Sequence, residues 1–427
     1  MKRARRFESV EVSPQARLRR EHERVILRAI TTGATVSRTQ LAADHDLSAQ
    51  SVGRIVRDLL DAGLVEEVSM DRAAGPGAPR IGLRLRPDGA YALGFGLERD
   101  LLTGVLLDMG ARVRWQMSLA TPAGQPAADL LQRIEQEVLS VFGQPEFAGC
   151  RARLCGLGIA APGPLNCATG TIVGPPNFPQ WQHVDVAREL GRALDLPVVM
   201  ENNASAAAIG TKWQLRRGPD PFLYCYWGVG IGGGLVVDDE VYLGLTGNAM
   251  EIGHVVVNPG GRRCDCGGVG CLEAEASVAA ILADAARYGK FASLDEVVAA
   301  AARPGPLADI LHRAAELAAC ALLTVVNLVD VDEVIIGGEH FRSVERIFVP
   351  VIRAALTGRA FRRAIAATEI TVSGLEAANA VGAAALVFQT LLRSGAQKPP
   401  PTRAGPGRPA SLAVVRAGRR RGSRSAS

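Results

Sequence analysis

Apolar positions along the chain follow first a helical and then an alternating rhythm. From Glu21 to Thr31, Val25, Leu27, Ala29 and Ile30 recur at helical spacing. Ser37, with Gln40 three residues on, forms a capping box for a short helix that buries Leu41 and Ala42. Asp46-Leu47-Ser48 is a turn. Ser48 then caps a second short helix, with Val52, Ile55, Val56, Leu59 and Leu60 on one face and Gly63 as its stop. Leu64–Val68 and Ile81–Leu85 alternate as two strands about a Gly/Pro loop, Arg72 to Arg80. This order predicts an N-terminal winged helix-turn-helix over residues 21–86, preceded by a basic flexible arm, 1–20.

Pro87-Asp88-Gly89 marks the junction to a second domain, 87–394. Strands are predicted at Tyr91–Leu97, Leu101–Met109 and Arg112–Leu119, then a helix from Pro126 to Phe142 and a strand at Leu154–Ile159. A second unit of the same kind fits Leu223–Trp227, Gly234–Val237, a helix over Leu307–Val329 and a strand at Glu333–Ile336. No residue-level self-similarity proves that repeat. Beyond Ser394 the chain becomes Pro/Gly/Arg/Ser-rich, which predicts a disordered basic tail, 395–427.

Charge sharpens the division. The net charge is +5, yet the tail alone carries eight basic residues and no acid, so the remainder is near −3. Basic charge at the two ends favours contact with a polyanion there. No apolar run approaches the ~20 residues of a membrane span. The N-terminus lacks the apolar stretch of a secretory signal. A reducing cytoplasm is expected, with no membrane partner.

One stretch carries concentrated chemistry. Cys264, Cys266 and Cys271 fall within eight residues among five glycines, and His254 lies ten residues before the first. Three thiolates and an imidazole are the inventory of a structural zinc site, a knot over 254–271. Glu251 and Glu273 ride on the same knot.

This stretch resembles the signature of the ROK family of sugar kinases and sugar-responsive repressors. Its ExGH is Glu251-Ile252-Gly253-His254, and its CxCGxxGCxE is Cys264 to Glu273. The family's Gly before the first Glu is here Met250, expected to crowd the sugar side. Gly156–Leu165, Asn177–Trp181 and Glu201–Ala204 resemble further family motifs in order, and the likeness spans residues 20 to 394. It implies an α/β architecture: an actin/hexokinase-like ATPase fold in two lobes behind the winged helix. It also implies sugar-binding roles for Asn177, Asn202, Asn203, Glu251, His254 and Glu273.

The kinase chemistry departs from the family pattern. The opening GxDxGGT hairpin reads Gly94 to Asp100, with Gly96 for the Asp and Glu98-Arg99-Asp100 for the GGT turn. The catalytic Asp is Asn203, which has no useful basicity. Val229 replaces a hydroxyl-bearing Thr in the second glycine loop, Gly228–Gly234. No ATP and no phosphotransfer are therefore expected. The leading reading is a sugar-responsive regulator, expected to repress, that binds a DNA operator as a homodimer or higher oligomer. Gln50, Ser51 and Arg54 would read bases, and Arg57 and Arg80 would contact the backbone or minor groove. An active sugar kinase with an appended DNA-binding domain is the alternative. A body that serves only for dimerisation and docking is a third reading.

Overall fold

The structure, a computed structural model, describes residues 14–31, 35–70, 81–122, 124–175, 180–215 and 220–394. The head begins with α1 (Pro14–Thr31), so residues 14–20, expected in a flexible arm, are helical. A short β1 (Val36–Ser37) precedes α2 (Arg38–Asp44) and α3 (Ala49–Asp61). Ser37 and Gln40 form the reciprocal capping box, and Ser48 caps α3. Val52, Ile55, Val56 and Leu59 are buried beneath α3, whereas Leu60 is half-buried. Gly63, at φ 70°, ends the helix in the left-handed conformation that glycine tolerates. The wing strands are β2 (Val65–Ser69) and β3 (Ile81–Leu85), in a sheet of order β1-β3-β2. The wing loop, with Arg80, lies outside the described residues.

The body contains two sheets of equivalent connectivity. The first lobe runs β4 (Tyr91–Leu97), β5 (Leu101–Asp108), β6 (Val113–Ala120), α4 (Ala127–Gly143), α5 (Pro145–Ala148) and β7 (Leu154–Ala161). Then come β8 (Leu165–Asn166), β9 (Thr171–Ile172), α6 (Val186–Leu194), β10 (Val198–Asn202) and α7 (Asn203–Leu215). The second lobe has β11 (Phe222–Trp227), β12 (Ile231–Val237), β13 (Glu240–Val241), α8 (Leu272–Ala276), α9 (Val278–Ala285), α10 (Leu294–Ala300) and α11 (Pro306–Val329). It closes with β14 (Glu333–Gly337), α12 (Phe341–Arg359), β15 (Glu369–Val372) and α13 (Ala378–Ser394). The sheet orders are β10-β7-β4-β5-β6 and β13-β12-β11-β14-β15. In each, an antiparallel meander is extended by two parallel strands. The repeat is therefore present in topology, although side chains do not repeat. β4 is buried along its whole length, as a strand flanked on both sides must be.

Two helices cross-brace the lobes. α7 ends the first lobe's chain but lays Ala204, Ala207 and Ala208 on the second sheet, against Phe222, Tyr224 and Val236. α13 ends the second lobe's chain but packs on the first sheet. The two helices meet at glycines. A Cβ on Gly382 would lie 1.6 Å from Ala206 O; where α13 crosses β7, one on Gly158 would lie 1.8 Å from Ala383 O. The same α13 carries Val381, Ala384, Ala385 and Phe388 into the apolar cluster of the head, with Ile26, Leu27 and Ile30 of α1. The junction is pinned beside it. Asp88 accepts from Arg86 Nε and Arg153 Nη1, each at 2.9 Å. Those two guanidiniums hold its carboxyl down to about 2.

Gly382→Ala or Gly158→Ala is expected to lower unfolding free energy by about 3 kcal/mol, because a close-packed seam cannot admit a methyl group. Gly149→Ala, whose Cβ meets nothing within 4 Å, is the neutral control. Urea unfolding of the three variants checks the contrast.

Candidate ligand cleft, metal knot and nucleic-acid face

The cleft opens between the lobes, with about 680 Å³ of empty space including open solvent. It is lined by Asn202, Asn203, Glu251, His254 and Glu273, so five of the six residues expected at a sugar site converge. Asn177 lies outside the described residues. Asn202 Oδ1 caps α7 by accepting from the Ala204 amide at 2.8 Å, while its Nδ2 reaches Glu251 Oε1 at 3.4 Å. Glu201, buried behind it, accepts from the Asn202 amide at 2.9 Å, and burial pushes its pKa up to about 7. Glu273 Oε2 accepts from the Ile231 amide at 2.8 Å, which ties the knot to the glycine loop. Burial raises the Glu251 carboxyl above its usual range; His254 opposes the shift and Glu273 adds to it. Carboxylates and carboxamides on one wall offer directed acceptors and donors for adjacent hydroxyls.

Met250 does not crowd this wall. It sits at φ 63°, and its side chain packs against the second lobe's core. The left-handed backbone keeps the turn that a glycine would make, at a cost of roughly 1–2 kcal/mol.

The metal knot is a pair of short hairpin bridges, Val256 with Cys271 and Arg263 with Val269. Gly270, at φ 75°, lies where a Cβ would fall 1.6 Å from Asn258 O, so only glycine closes the loop. The ligand atoms of His254, Cys264, Cys266 and Cys271 all lie within 4.8 Å of one another. Cys266 Sγ and Cys271 Sγ are 3.7 Å apart, and Cys264 Sγ lies 3.6 Å from His254 Nδ1. Zinc–ligand bonds of about 2.3 Å (S) and 2.0–2.1 Å (N) in a tetrahedron require about 3.8 and 3.6 Å for these pairs. The four residues fit such an ion. Nδ1 faces the sulfur, which leaves Nε2 of His254 for the cleft.

The hairpin after β4 is packed by a side chain of α13. A Cβ on Gly96 would fall 2.6 Å from the Asn379 carboxamide, so Asn379 fills the space in front of the hairpin. Asn203 is nearly buried. Its Nδ2 donates to Leu97 O at 2.9 Å, and its Oδ1 accepts from Asn379 Nδ2 at 3.4 Å. It borders the cleft, but its amide is engaged with the protein rather than free for a hydroxyl. Glu98 is buried among Tyr226 and Asn379. Burial pushes its pKa up to about 7, against the Tyr226 hydrogen bond and with the charges of Glu339 and Asp100 adding.

Asn379 and Glu275 were not singled out in the sequence. Glu275 accepts from the Arg262 amide at 2.5 Å and from Asn258 Nδ2 at 3.2 Å, which holds the knot's base. The available signal for Asn379 was a lone carboxamide in a run of alanines, Ala377 to Ala380.

On the head, Gln50, Arg54 and Arg57 are exposed along α3. Ser51 is half-buried, and its hydroxyl accepts from Ser48 Oγ at 3.0 Å, so the cap occupies it. Gly53 faces open space, with nothing within 4 Å of a built Cβ.

A winged head on a two-lobed, sugar-kinase-like body with a Cys₃His knot defines the class. The chain belongs to the ROK family, whose sequence profile matches residues 102–390. It is 26% identical over 396 residues to the xylose repressor of Caldicellulosiruptor bescii, a match covering 88% of this chain and 97% of that protein. It is 32% identical over 281 residues to the glucokinase of Thermotoga maritima, covering 62% of this chain and 86% of the kinase. Among solved structures, a ROK family transcriptional regulator described as a homolog of the E. coli MLC protein superposes with a TM-score of 0.73. That match is 26% identical and covers 89% of this chain and 98% of the other. No helix among the described residues is long and apolar enough to cross a membrane.

Glu98 binds its proton more tightly folded, at about 7, than an ordinary Glu at 4.5. The unfolded chain therefore releases that proton first, and stability falls as pH rises through this window. Glu98→Gln is expected to flatten the fall in Tm between those pH values. Part of the slope remains, because Glu201 titrates in the same window. An unchanged Tm–pH curve would contradict the assignment.

Proposed function

We propose that this chain is a sugar-responsive, DNA-binding transcription regulator whose body has exchanged phosphotransfer for ligand sensing. The observation that carries this reading is a hydroxyl-reading wall kept beside a kinase position held by Asn203 and blocked by Asn379. A carboxamide cannot take a proton from a sugar hydroxyl. Asn202, Glu251, His254 and Glu273 would hold the sugar, with Asn203 beneath and Asn177 as a further expected contact. Zinc on His254, Cys264, Cys266 and Cys271 would fix two of those side chains in place. The ion is structural, because four protein ligands leave no open position. Gln50 and Arg54 would read base edges, with Ser51 at the helix cap; Arg57 and Arg80 would hold phosphates or the minor groove. A homodimer would present two such helices to a two-fold operator, and sugar would release it. The xylose repressor among the relatives agrees with that sign.

A duplex selected from a random pool serves as operator. Arg54→Ala is expected to relax preference at one base position by about 1–3 kcal/mol, while Arg57→Ala weakens all sequences alike. Gly53→Ala gains about 1 kcal/mol of helix stability, since its methyl group meets nothing, yet it weakens DNA binding if the duplex backbone approaches there. Retained selection after deletion of residues 1–85 would refute the assignment.

Elemental analysis is expected to find one zinc per chain, lost with destabilisation in Cys266→Ser. Protein purified without zinc would contradict the metal. Sugar-dependent ATP turnover should stay at background for every hexose tested. Turnover that disappears in Glu273→Gln would restore the kinase reading.

A further inference from the structure

The glycine loop between β11 and β12 is already filled, by a side chain of this protein. Glu98 follows β4 in the first lobe, and its carboxylate reaches the second lobe. Tyr226 on β11 donates its hydroxyl to Glu98 Oε1. Asn379 Nδ2, at the start of α13, approaches the same oxygen at 3.5 Å. The Val229 backbone lies near enough to the carboxyl to oppose the upward shift of its pKa. Glu98 Oε2 packs so closely on the loop that a Cβ on Gly228 would sit 3.0 Å away. The residue is only 6% exposed. Backbone amides of a glycine-rich turn form an anion-binding concavity. Here the Glu98 side chain takes that place, as a neutral acid at low pH and as an anion once the pH rises above about 7. The Gly228 amide is also spent, donating to Gly230 O at 3.0 Å.

We propose that Glu98 is a specificity-determining residue: it occupies the loop's anion position, so the cleft admits uncharged sugars and turns away phosphate esters and nucleotides. This rests on the reading of the cleft as a sugar site.

The surroundings favour exclusion. Glu339 and Asp100 add negative charge on the same side. An adjoining hollow does carry Arg99, Arg262 and Arg263. Arg262 is committed to Asp284 at 2.5 Å, however, and Arg99 and Arg263 are exposed. Solvated arginines hold an anion weakly. A buried Glu98 side chain packed on the loop at Gly228 keeps a second anion out of that place.

The test is calorimetric titration of the full-length protein with inorganic pyrophosphate, D-glucose, D-xylose and glucose 6-phosphate. Wild type should bind a neutral sugar and show no heat with pyrophosphate or the phosphate ester. Glu98→Ala and Glu98→Ser empty the loop and should gain pyrophosphate binding by about tenfold or more, the scale of one charge-assisted hydrogen bond. Glu98→Gln keeps the loop filled and should gain little, and Asp100→Asn should gain nothing. Wild-type binding of pyrophosphate or glucose 6-phosphate as tight as in the emptied variants overturns the proposal. That arm needs no variant to fold. A gain as large in Asp100→Asn as in Glu98→Ala also overturns it, because general repulsion would then suffice. Gain of pyrophosphate binding with no neutral sugar bound by any form would instead sink the sugar reading and leave the role of Glu98 standing.

Discussion

The close approach of α7 and α13 governs the molecule. Each helix ends one lobe's chain and packs on the other lobe's sheet, so neither lobe has a complete core by itself. Glycine is required because Gly382 of α13 and Gly210 of α7 face the other helix's backbone across gaps with no room for a methyl group. Such a seam resists gradual deformation and favours discrete arrangements, since close-packed interiors do not stretch. The cleft residues stand at its ends: Asn202 caps α7, and Asn379 opens α13.

On the proposed reading, phosphotransfer is opposed by packing as much as by the residues at 96 and 203. Gly96 leaves space, and Asn379 takes it. Asn203 then bonds to Asn379 and Leu97 instead of facing a nucleophile. An Asp placed at residue 96 or 203 would therefore meet a carboxamide already in place. Glu251 and Glu273, the proposed sugar wall, are held instead by the Cys/His knot, its Glu275 clamp and the Glu273–Ile231 hydrogen bond.

Much of this was legible in the sequence. Capping residues and a 3.6-residue rhythm fixed the head's helices, where local rules decide; β1 escaped notice because a two-residue strand has no periodicity of its own. The knot was legible because its ligands and glycines are close in the chain. Asn379 was not, since it meets Gly96 and Asn203 across 283 and 176 positions and only the folded seam unites them. The burial of Glu98 was hidden for the same reason: an acid after a strand reads as exposed until Tyr226 is placed opposite. Met250 misled because its backbone, not its side chain, does what the family's glycine does.

The proposed ligand cleft and the head share one element. Through Asn379, α13 contacts the cleft-lining Glu98 and Asn203; through Phe388 it enters the head's core, and α1 packs on it directly. A ligand that shifts the lobes would move this helix and, with it, the separation of two heads in a dimer. Such coupling is reciprocal, typically within about 1–3 kcal/mol. The direct measurement is the affinity of the bound sugar with the head empty and again with the head saturated by operator duplex. A change in sugar affinity by the same factor that sugar imposes on DNA supports the account. Identical sugar affinity in the two states, with both ligands bound at once, would contradict it.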